Sequence, residues 1–302
     1  MKYGRNRFIT LFLLAPLALY AVFVLYPYVQ GVVISFTDWS GYSQERDFIG
    51  FGNYVELAGD GKFWAALGHN ALFLIVLPPV TLGIAIVFAA LTSISGGKGG
   101  RVGPIAGSGW YRAIYFFPNI LPIVMGLVLW QFVFNPRIGL LNGLLEAVGL
   151  GEWAQAWLGD PNTAPWAILG VLVWGQVGFY YVLFSAAMQG IPRDYFEAAQ
   201  LDGVGRVRMF WTITLPMMLQ TVQVAWVYIG MLALDMFVTV AILTPNGGPS
   251  GSTEVISTYM QRLAFGAGRF GYSATIGVVL TLLTLLFAFI TFRVTRRERV
   301  EY

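Results

Sequence analysis

The sequence predicts an all-α integral membrane protein with about six transmembrane helices, and three observations support this fold class. Hydrophobic residues make up 57% of the chain and charged residues only 11%, whereas soluble domains contain about 25% charged residues. Six apolar runs are each long enough to cross a bilayer, which takes about 20 helical residues. Aromatic side chains gather at the ends of these runs, where amphipathic rings favour the headgroup region. Because backbone groups in lipid must be satisfied internally, the runs are predicted to be helices.

The six predicted spans place the whole chain, residues 1–302, in a single transmembrane domain. The basic start of the first run is also typical of a signal peptide, but the apolar residues continue well beyond Ala21. An uncleaved first helix is therefore expected. In chain order the spans are expected at roughly 8–34, 70–92, 113–134, 166–188, 217–243 and 274–292.

The distribution of Lys and Arg predicts how the chain crosses the membrane. With the N-terminus inside, thirteen Lys and Arg residues fall on the cytoplasmic side and five on the outer side, where nine acidic residues also lie. Positive residues concentrate in cytoplasmic loops, so both termini are expected in the cytoplasm. The net charge of +3 then reflects topology and does not indicate nucleic-acid binding.

The residue types present argue against several function classes. The chain has no Cys and a single histidine, His69, so redox chemistry and a Cys/His metal site are not expected. Residues 96–98 read Gly-Gly-Lys, but Thr92 and Gly99 stand where a phosphate-binding P-loop needs Gly and Ser or Thr. Hydrolase and metalloprotease motifs are absent as well. The sequence therefore does not predict an enzyme or a bound cofactor.

The segment between the third and fourth spans, residues 135–165, is too long for a simple turn. It contains "GLLNGLLEAVGL" followed by Trp153 and Trp157. This pattern predicts an amphipathic helix that lies along the outer surface.

A charged, glycine-broken segment lies between the fourth and fifth spans on the predicted cytoplasmic side. Residues 195–216 read "YFEAAQLDGVGRVRMFWTITLP". Pro192 suits the first position of a helix, and Asp194 and Glu197 favour the positive end of its dipole. Gly203 is expected to end that helix, since glycine readily adopts left-handed dihedral angles. On its residues alone, the segment is either a docking knob for another protein or a solvated connecting loop.

The same segment resembles the signature loop of the membrane-spanning permease subunits of ATP-binding-cassette (ABC) importers. The matching groups are Glu197-Ala198-Ala199, Gly203 and Ile213-x-Leu215-Pro216. Passages such as "YPYVQGVVISFTDW" and "LTPNGGPSGSTEVISTYMQRLAF" extend the resemblance over nearly the whole chain. These passages are similar to the carbohydrate-uptake branch, which includes the maltose and glycerol-3-phosphate permeases.

The resemblance implies a type I ABC importer permease fold in the cytoplasmic (inner) membrane of a prokaryote, with a coupling helix in the loop 192–216. It implies that this chain binds no cofactor, because separate cytoplasmic ATPase subunits hydrolyse the ATP. The other implied partners are a second homologous permease subunit, giving a heterodimer, and an extracytoplasmic solute-binding protein. The residues expected to couple to the ATPase are Glu197, Ala198, Ala199, Asp202, Gly203 and Arg206.

Their implied roles differ. Glu197 is expected to pair with basic groups of the ATPase, Ala198 and Ala199 to allow a close approach, and Gly203 to set the bend. Val204 departs from the family, in which alanine commonly follows the glycine, and makes the contact slightly bulkier.

Polar groups within the spans are candidates for the solute pathway. Asp235 is the only ionisable residue well inside an apolar run, and such residues are costly and often functional. Gln176 and Tyr180 are four apart and share a helix face near Phe179, where an amide beside aromatic rings suits a sugar. Asp235 as a structural residue satisfied by a neighbouring helix, and the aromatic group as ordinary packing, remain open.

The predicted function is half of a translocation pathway for a sugar or related polyol that alternates between inward-facing and outward-facing states. An ion-gradient-driven secondary transporter is the alternative, although one intramembrane acid is thin support for it. A third class is a scaffold protein whose loop only recruits a partner.

Overall fold

The computed structural model describes residues 2–94 and 107–294. The glycine-rich segment at 96–98, which the sequence excludes as a P-loop, lies outside the described residues. Up to the end of the fourth predicted span the helices are α1 Lys2–Tyr20, α2 Tyr26–Ile34, α3 Gly52–Ala58, α4 Gly61–Ile94, α5 Ser108–Ile120, α6 Ile123–Val133, α7 Leu140–Ala147 and α8 Ala164–Gln189. The wider turn Ala21–Leu25 joins α1 to α2 without a break.

The rest of the described chain is also helical. Its helices are α9 Arg193–Leu201, α10 Arg206–Met209, α11 Leu215–Met217, α12 Leu219–Leu234, α13 Phe237–Leu243, α14 Ile256–Gln261 and α15 Phe270–Val294. Within the described ranges, extended pairing is limited to an isolated bridge between Thr37 and Phe48.

Four stretches in the described residues are long and apolar enough to cross a bilayer. They are Phe12–Ile34, Gly61–Thr92, Ala164–Gln189 and Phe270–Arg293. Two more apolar stretches are bent: α5 and α6 meet at 95°, and Arg206–Met217 meets α12 at 68°. With each bent pair counted as one crossing there are six, which confirms the predicted all-α fold class.

The structure differs from the predicted spans at several places, among them the third span and the start of the second. The run 113–134 is interrupted at Leu121 and Pro122, whose ψ angles of 135° and 131° are extended. Proline cannot donate a helical hydrogen bond and disfavours a helical residue before it, so Pro122 explains the break. The second predicted span, which starts at residue 70 in the prediction, corresponds to α4 and begins nine residues earlier, at Gly61. Asp60 Oδ1 accepts the N–H groups of Lys62 and Phe63 there, at 2.9 and 3.3 Å, and so starts the helix.

The chain divides into two compact units, Met1–Trp64 with Tyr259–Leu283, and Ala65–Thr258 with Thr284–Tyr302. In the first unit, polar bonds fix the end of α2. The buried Asn53 amide donates to the carbonyl oxygens of Ser35 and Thr37 at 2.9 and 2.8 Å. Thr275 of α15 donates its hydroxyl to Ser35 O at 2.9 Å. Two separate segments, α3 and α15, are therefore joined by hydrogen bonds to the turn at the end of α2.

A second polar cluster of the first unit surrounds Asp60. Its Oδ2 accepts the hydroxyl groups of Tyr259 at 2.6 Å and Tyr272 at 2.7 Å. Partial burial raises the pKa of the Asp60 carboxyl, but the tyrosine and backbone hydrogen bonds lower it further, so its pKa lies below the ordinary value. Arg269 forms a bidentate pair with Glu56 at 2.8 and 2.6 Å, and this hydrogen bonding raises the pKa of the guanidinium.

The second unit contains the main hydrophobic core. The core is formed by α4, α8, α12 and the helices packed on them. Its largest fully buried side chains include Phe73, Leu77, Ile168, Tyr181, Phe184 and Ile229. The apolar stretch of α1 and α2, in contrast, has no buried residue in the isolated chain. Such a surface is favourable in lipid or against another membrane helix and unfavourable in water.

Candidate functional site

The predicted signature loop forms a helix, a bend and a second helix. Pro192 directly precedes α9, and Asp194 lies in its first turn. α9 ends at Leu201, and Gly203 has a φ of +71°, the left-handed conformation that glycine adopts at helix ends. The Val204 N–H donates back to Ala199 O at 2.9 Å and closes the turn. The bend is therefore defined by local backbone chemistry.

The loop has a small hydrophobic core of its own. Ile191, Phe196, Ala199 and Met209 are buried against one another. Ala199 is 8% exposed, so its methyl group packs inside the loop and α9 is held against α10. This packing fixes the orientation of the opposite face of α9.

The outer face of the loop carries most of the residues that the resemblance singled out. Exposed residues are Glu197, Ala198, Asp202, Gly203 and Arg206. Two apolar side chains stand among them, Leu201 at 90% and Val207 at 75% exposure. The loop therefore presents a braced outer face on which acidic, basic and apolar side chains are all exposed.

A cavity of about 150 Å³ lies between α5, α6, α8 and α13 in the second unit. Amide side chains of Asn119 and Gln176, the ring of Trp174 and the hydroxyl-bearing Thr239 line it. Pockets for drug-sized ligands are commonly about 300–1,000 Å³. This cavity is therefore smaller than the pockets that usually hold drug-sized ligands.

The structure separates the four residues that the sequence placed on the solute pathway. Gln176 lines the cavity. Tyr180, four residues later, is 4% exposed and packs in the core between Phe179 and Phe184. Phe179 is 44% exposed. Asp235 is exposed and lies at an interruption between α12 and α13, outside the cavity lining.

Sequence reasoning singled out Gln176 but not the other polar or ring-bearing residues of the lining discussed above, Asn119, Trp174 and Thr239. Asn119 follows Pro118 in "YFFPNILP", and an amide in so apolar a stretch is a detectable signal. Its Nδ2 donates to Gly175 O, which links α5 to α8 beside the cavity. Trp174 and Thr239 carry no comparable sequence signal, because tryptophan and threonine are ordinary residues of membrane helices.

A bundle of apolar helices, a braced polar loop and a polar-lined cavity are the features expected of a membrane transport protein. The sequence matches the binding-protein-dependent transport system inner membrane component family over residues 101–300. This chain belongs to that family and is a permease subunit of an ABC importer. The predicted transport role is thereby confirmed, and the ion-driven alternative is not favoured.

Several characterised permeases are similar over most of the chain. The diacetylchitobiose uptake system permease NgcF of Streptomyces coelicolor is 42% identical over 98% of this chain and 84% of its own length. The probable ABC transporter permease YurN of Bacillus subtilis is 34% identical over 93% of this chain and 94% of its own. The alpha-glucoside permease AglF of Rhizobium meliloti is 33% identical over 91% and 78%.

A solved structure supports the fold independently. A chain of a bacterial ABC transporter involved in the import of the acidic polysaccharide alginate superimposes with a TM-score of 0.79. The match covers 98% of this chain and 97% of that chain at 22% identity. The predicted importer permease fold is confirmed.

Proposed function

We propose that this permease forms half of the translocation pathway for a sugar or a related polyol. The observation that carries the proposal is the lining of the cavity. The amides of Asn119 and Gln176 offer donors and acceptors for hydroxyl groups, and Trp174 offers a flat ring. A sugar presents hydroxyl groups at its rim and C–H groups on its face, so these residue types complement it. The names of two relatives, an uptake permease for diacetylchitobiose and one for alpha-glucosides, agree with this substrate class.

The rest of the pathway is proposed to come from a second, homologous permease subunit. The cavity of about 150 Å³ lies below the usual range of ligand pockets, and the apolar surface of α1 and α2 is uncovered. A heterodimer would enlarge the cavity wall and cover apolar surface together. An extracytoplasmic binding protein delivers the solute to this pair.

The loop 192–216 is proposed to dock on a separate cytoplasmic ATPase. Glu197, Asp202 and Arg206 would form charged contacts, and Ala198 allows a close approach. Gly203 sets the bend, and Ala199 acts from within by holding α9 in place. ATP binding and hydrolysis in the partner then move the loop and switch the pathway between inward-facing and outward-facing states.

The proposed location is the cytoplasmic membrane of a prokaryote, with both termini in the cytoplasm. The excess of Lys and Arg on the side of the termini supports this orientation. The loop 192–216 then faces the cytoplasm, where ATP is available.

Uptake into proteoliposomes tests the proposal. The complete transporter would be reconstituted with its second permease subunit, ATPase and binding protein, and a panel of labelled mono-, di- and oligosaccharides and polyols supplied outside. Uptake of at least one of them is expected to require ATP inside and to persist when ionophores collapse the proton and sodium gradients. Uptake that ignores ATP and stops with the ionophores would contradict it.

Two substitutions in α8 distinguish a role in the solute pathway from a general effect on folding or assembly. Gln176→Ala is expected to raise the sugar concentration for half-maximal uptake by about tenfold, since one hydrogen bond to a ligand is worth about 0.5–1.5 kcal/mol. Gln189→Ala is the matched control, because Gln189 is exposed at the end of α8 and away from the cavity. Equal uptake in both variants would remove Gln176 from the pathway.

A further inference from the structure

The fifth predicted span is interrupted between α12 and α13. Asp235, the first residue after α12, has φ of −112° and ψ of 81°, and α13 starts only at Phe237. In a continuous helix, the carbonyl oxygens of Ala233 and Leu234 would accept the N–H groups of residues four positions later. The interruption removes those partners, and an unsatisfied backbone carbonyl is costly within a membrane.

Asn70 of α4 supplies the missing partners. Its Nδ2 donates to Ala233 O at 3.0 Å and to Leu234 O at 3.1 Å. Its Oδ1 accepts the Ile256 N–H of α14 at 2.9 Å. The Asn70 side chain is 0% exposed, so one buried amide joins the break to two other elements.

The segment after the break is also held at its other end. Gln131 of α6 donates to Ile242 O, near the end of α13. Between these two attachments, Thr239 reaches the cavity wall. The position of that wall thus depends on where α13 begins, and the Asn70 amide fixes the end of α12 from which α13 departs.

The break is stabilised from within this chain. The amide of Asn70 donates to the carbonyl oxygens of Ala233 and Leu234. Each of these two backbone acceptors therefore has a protein hydrogen-bond donor at the interruption.

We propose that Asn70 is a positioning residue for solute translocation, which keeps the fifth span in two parts and thereby fixes the positions of Asp235 at the break and of Thr239 in α13. The inference rests on the proposed function, because it takes the cavity beside Thr239 as part of the solute pathway. Asn70 itself is buried and does not touch the solute.

Cysteine labelling measures the position of the break directly, because the chain contains no Cys. Asp235→Cys puts the single thiol of this chain just after α12, and Val224→Cys puts it at an exposed position of α12 before the break. Each cysteine variant is prepared twice, once with the native Asn70 and once with Asn70→Asp, and is assembled into the complete transporter in membrane vesicles. The probe is a small water-soluble maleimide, and a transporter without the added cysteine gives the background from the other subunits.

The labelling rate at residue 235 is expected to change by about tenfold or more in Asn70→Asp, because an oxygen replaces the donor that faces two buried carbonyls. The rate at residue 224 is expected to stay within about twofold. Equal rates at residue 235 with Asn70 and with Asn70→Asp would overturn the proposal.

Substitutions of Asn70 distinguish hydrogen bonding from packing. Uptake per assembled transporter is compared for Asn70→Gln, Asn70→Asp and Asn70→Leu, with Asp235 intact. The positioning role predicts that Asn70→Gln, which keeps the amide, retains more uptake than Asn70→Asp or Asn70→Leu. In the Asp and Leu variants, the sugar concentration for half-maximal uptake is expected to rise, while the ATP concentration for half-maximal uptake is expected to stay the same. Aspartate is closer than glutamine to asparagine in volume. A ranking with Asp above Gln would therefore show that packing matters more than the amide and would overturn the proposal.

Failure of this inference and failure of the proposed function give different results. If residue 235 responds to Asn70→Asp but sugar uptake ignores both Gln176→Ala and Asn70→Asp, the cavity is not on the pathway, and that part of the proposed function is wrong. If Gln176→Ala impairs uptake while residue 235 ignores Asn70→Asp, the pathway stands and the role of Asn70 is wrong.

Discussion

Gly178 of α8 lies directly against the backbone of Tyr115 in α5. A Cβ atom at residue 178 would come within 1.7 Å of the Tyr115 carbonyl oxygen and 2.5 Å of its carbonyl carbon. Atoms this close cannot coexist, and backbone cannot move aside as a flexible side chain can. The crossing of α5 and α8, which brings Asn119 and Gln176 to the same cavity, therefore requires glycine at this position.

Gly178→Ala is expected to force α5 and α8 apart and to lower the amount of folded, assembled transporter. Overpacking of this kind costs about 1–3 kcal/mol. Thermal unfolding of the purified complex measures the effect. Gly170→Ala is the matched control on the same helix, since no atom lies within 4 Å of a Cβ there. Equal unfolding temperatures for both variants would contradict the packing at Gly178.

Gly203→Ala is expected to weaken coupling without affecting membrane insertion. Alanine is strained at the observed φ of +71° and costs about 1 kcal/mol relative to glycine there. No neighbour lies within 4 Å of a Cβ at this residue, so the effect is one of backbone conformation alone. Sugar-stimulated ATP hydrolysis is expected to fall by several fold. Gly205→Ala is the control, because Gly205 has an ordinary φ of −68° and equally open surroundings.

The Asp60 cluster is expected to make stability pH-dependent only in acid. Because its pKa is lowered in the folded protein, the stabilisation by the carboxylate is complete above the unfolded value of about 4 and is lost as pH falls through the folded value. Asp60→Asn should therefore destabilise by a constant amount between about pH 5 and 7, and the difference from the parent should shrink below about pH 4. Unfolding curves measure it. Asp47→Asn, at an exposed carboxylate of the same unit, is the control, and an equal loss in both variants would contradict the role of Asp60.

Asn142 is expected to hold the outer segment in one conformation. Its Oδ1 accepts the Trp157 Nε1–H at 2.7 Å, and its Nδ2 donates to Gln155 O at 3.0 Å. Asn142→Leu keeps the branched shape at Cγ but leaves these groups unpaired, at a cost of about 1–3 kcal/mol each. Hydrogen exchange in residues 149–160 is expected to rise. Asn162→Ala, at an exposed asparagine of the same segment, is the comparison, and exchange that does not distinguish the two variants would be evidence against this network.

Hydropathy and charge were sufficient to predict the helical class, the number of spans and the loop 192–216. They were insufficient for the interruptions within spans. The break at Leu121 follows from Pro122, and the printed sequence contains that signal. The break at Asp235 has no proline or glycine within four residues. Its stabilising partner Asn70 lies 163 residues from Ala233 along the chain, so the local sequence carries no signal for the break.

The candidate solute pathway was predictable only in part for a similar reason. Gln176 and Tyr180 share a helix face by spacing, yet only Gln176 reaches the cavity, because Tyr180 packs in the core beside Phe184. Helical periodicity gives the direction of a side chain but not which neighbouring helix covers it. The roles of these residues and of the outer face of α9 stay predictions.

The loop 192–216 is proposed to transmit ATP hydrolysis in a partner to this permease. The most direct measurement is the co-purification of the ATPase with this chain in detergent, with Glu197→Ala compared against Glu152→Gln, at an exposed carboxylate of the outer segment. Glu197→Ala is expected to lose the ATPase or to lower its sugar-stimulated activity by about tenfold, as expected when a charged interface contact is removed, while Glu152→Gln keeps both. A partner ATPase that binds and responds equally in both variants would contradict this role of the loop.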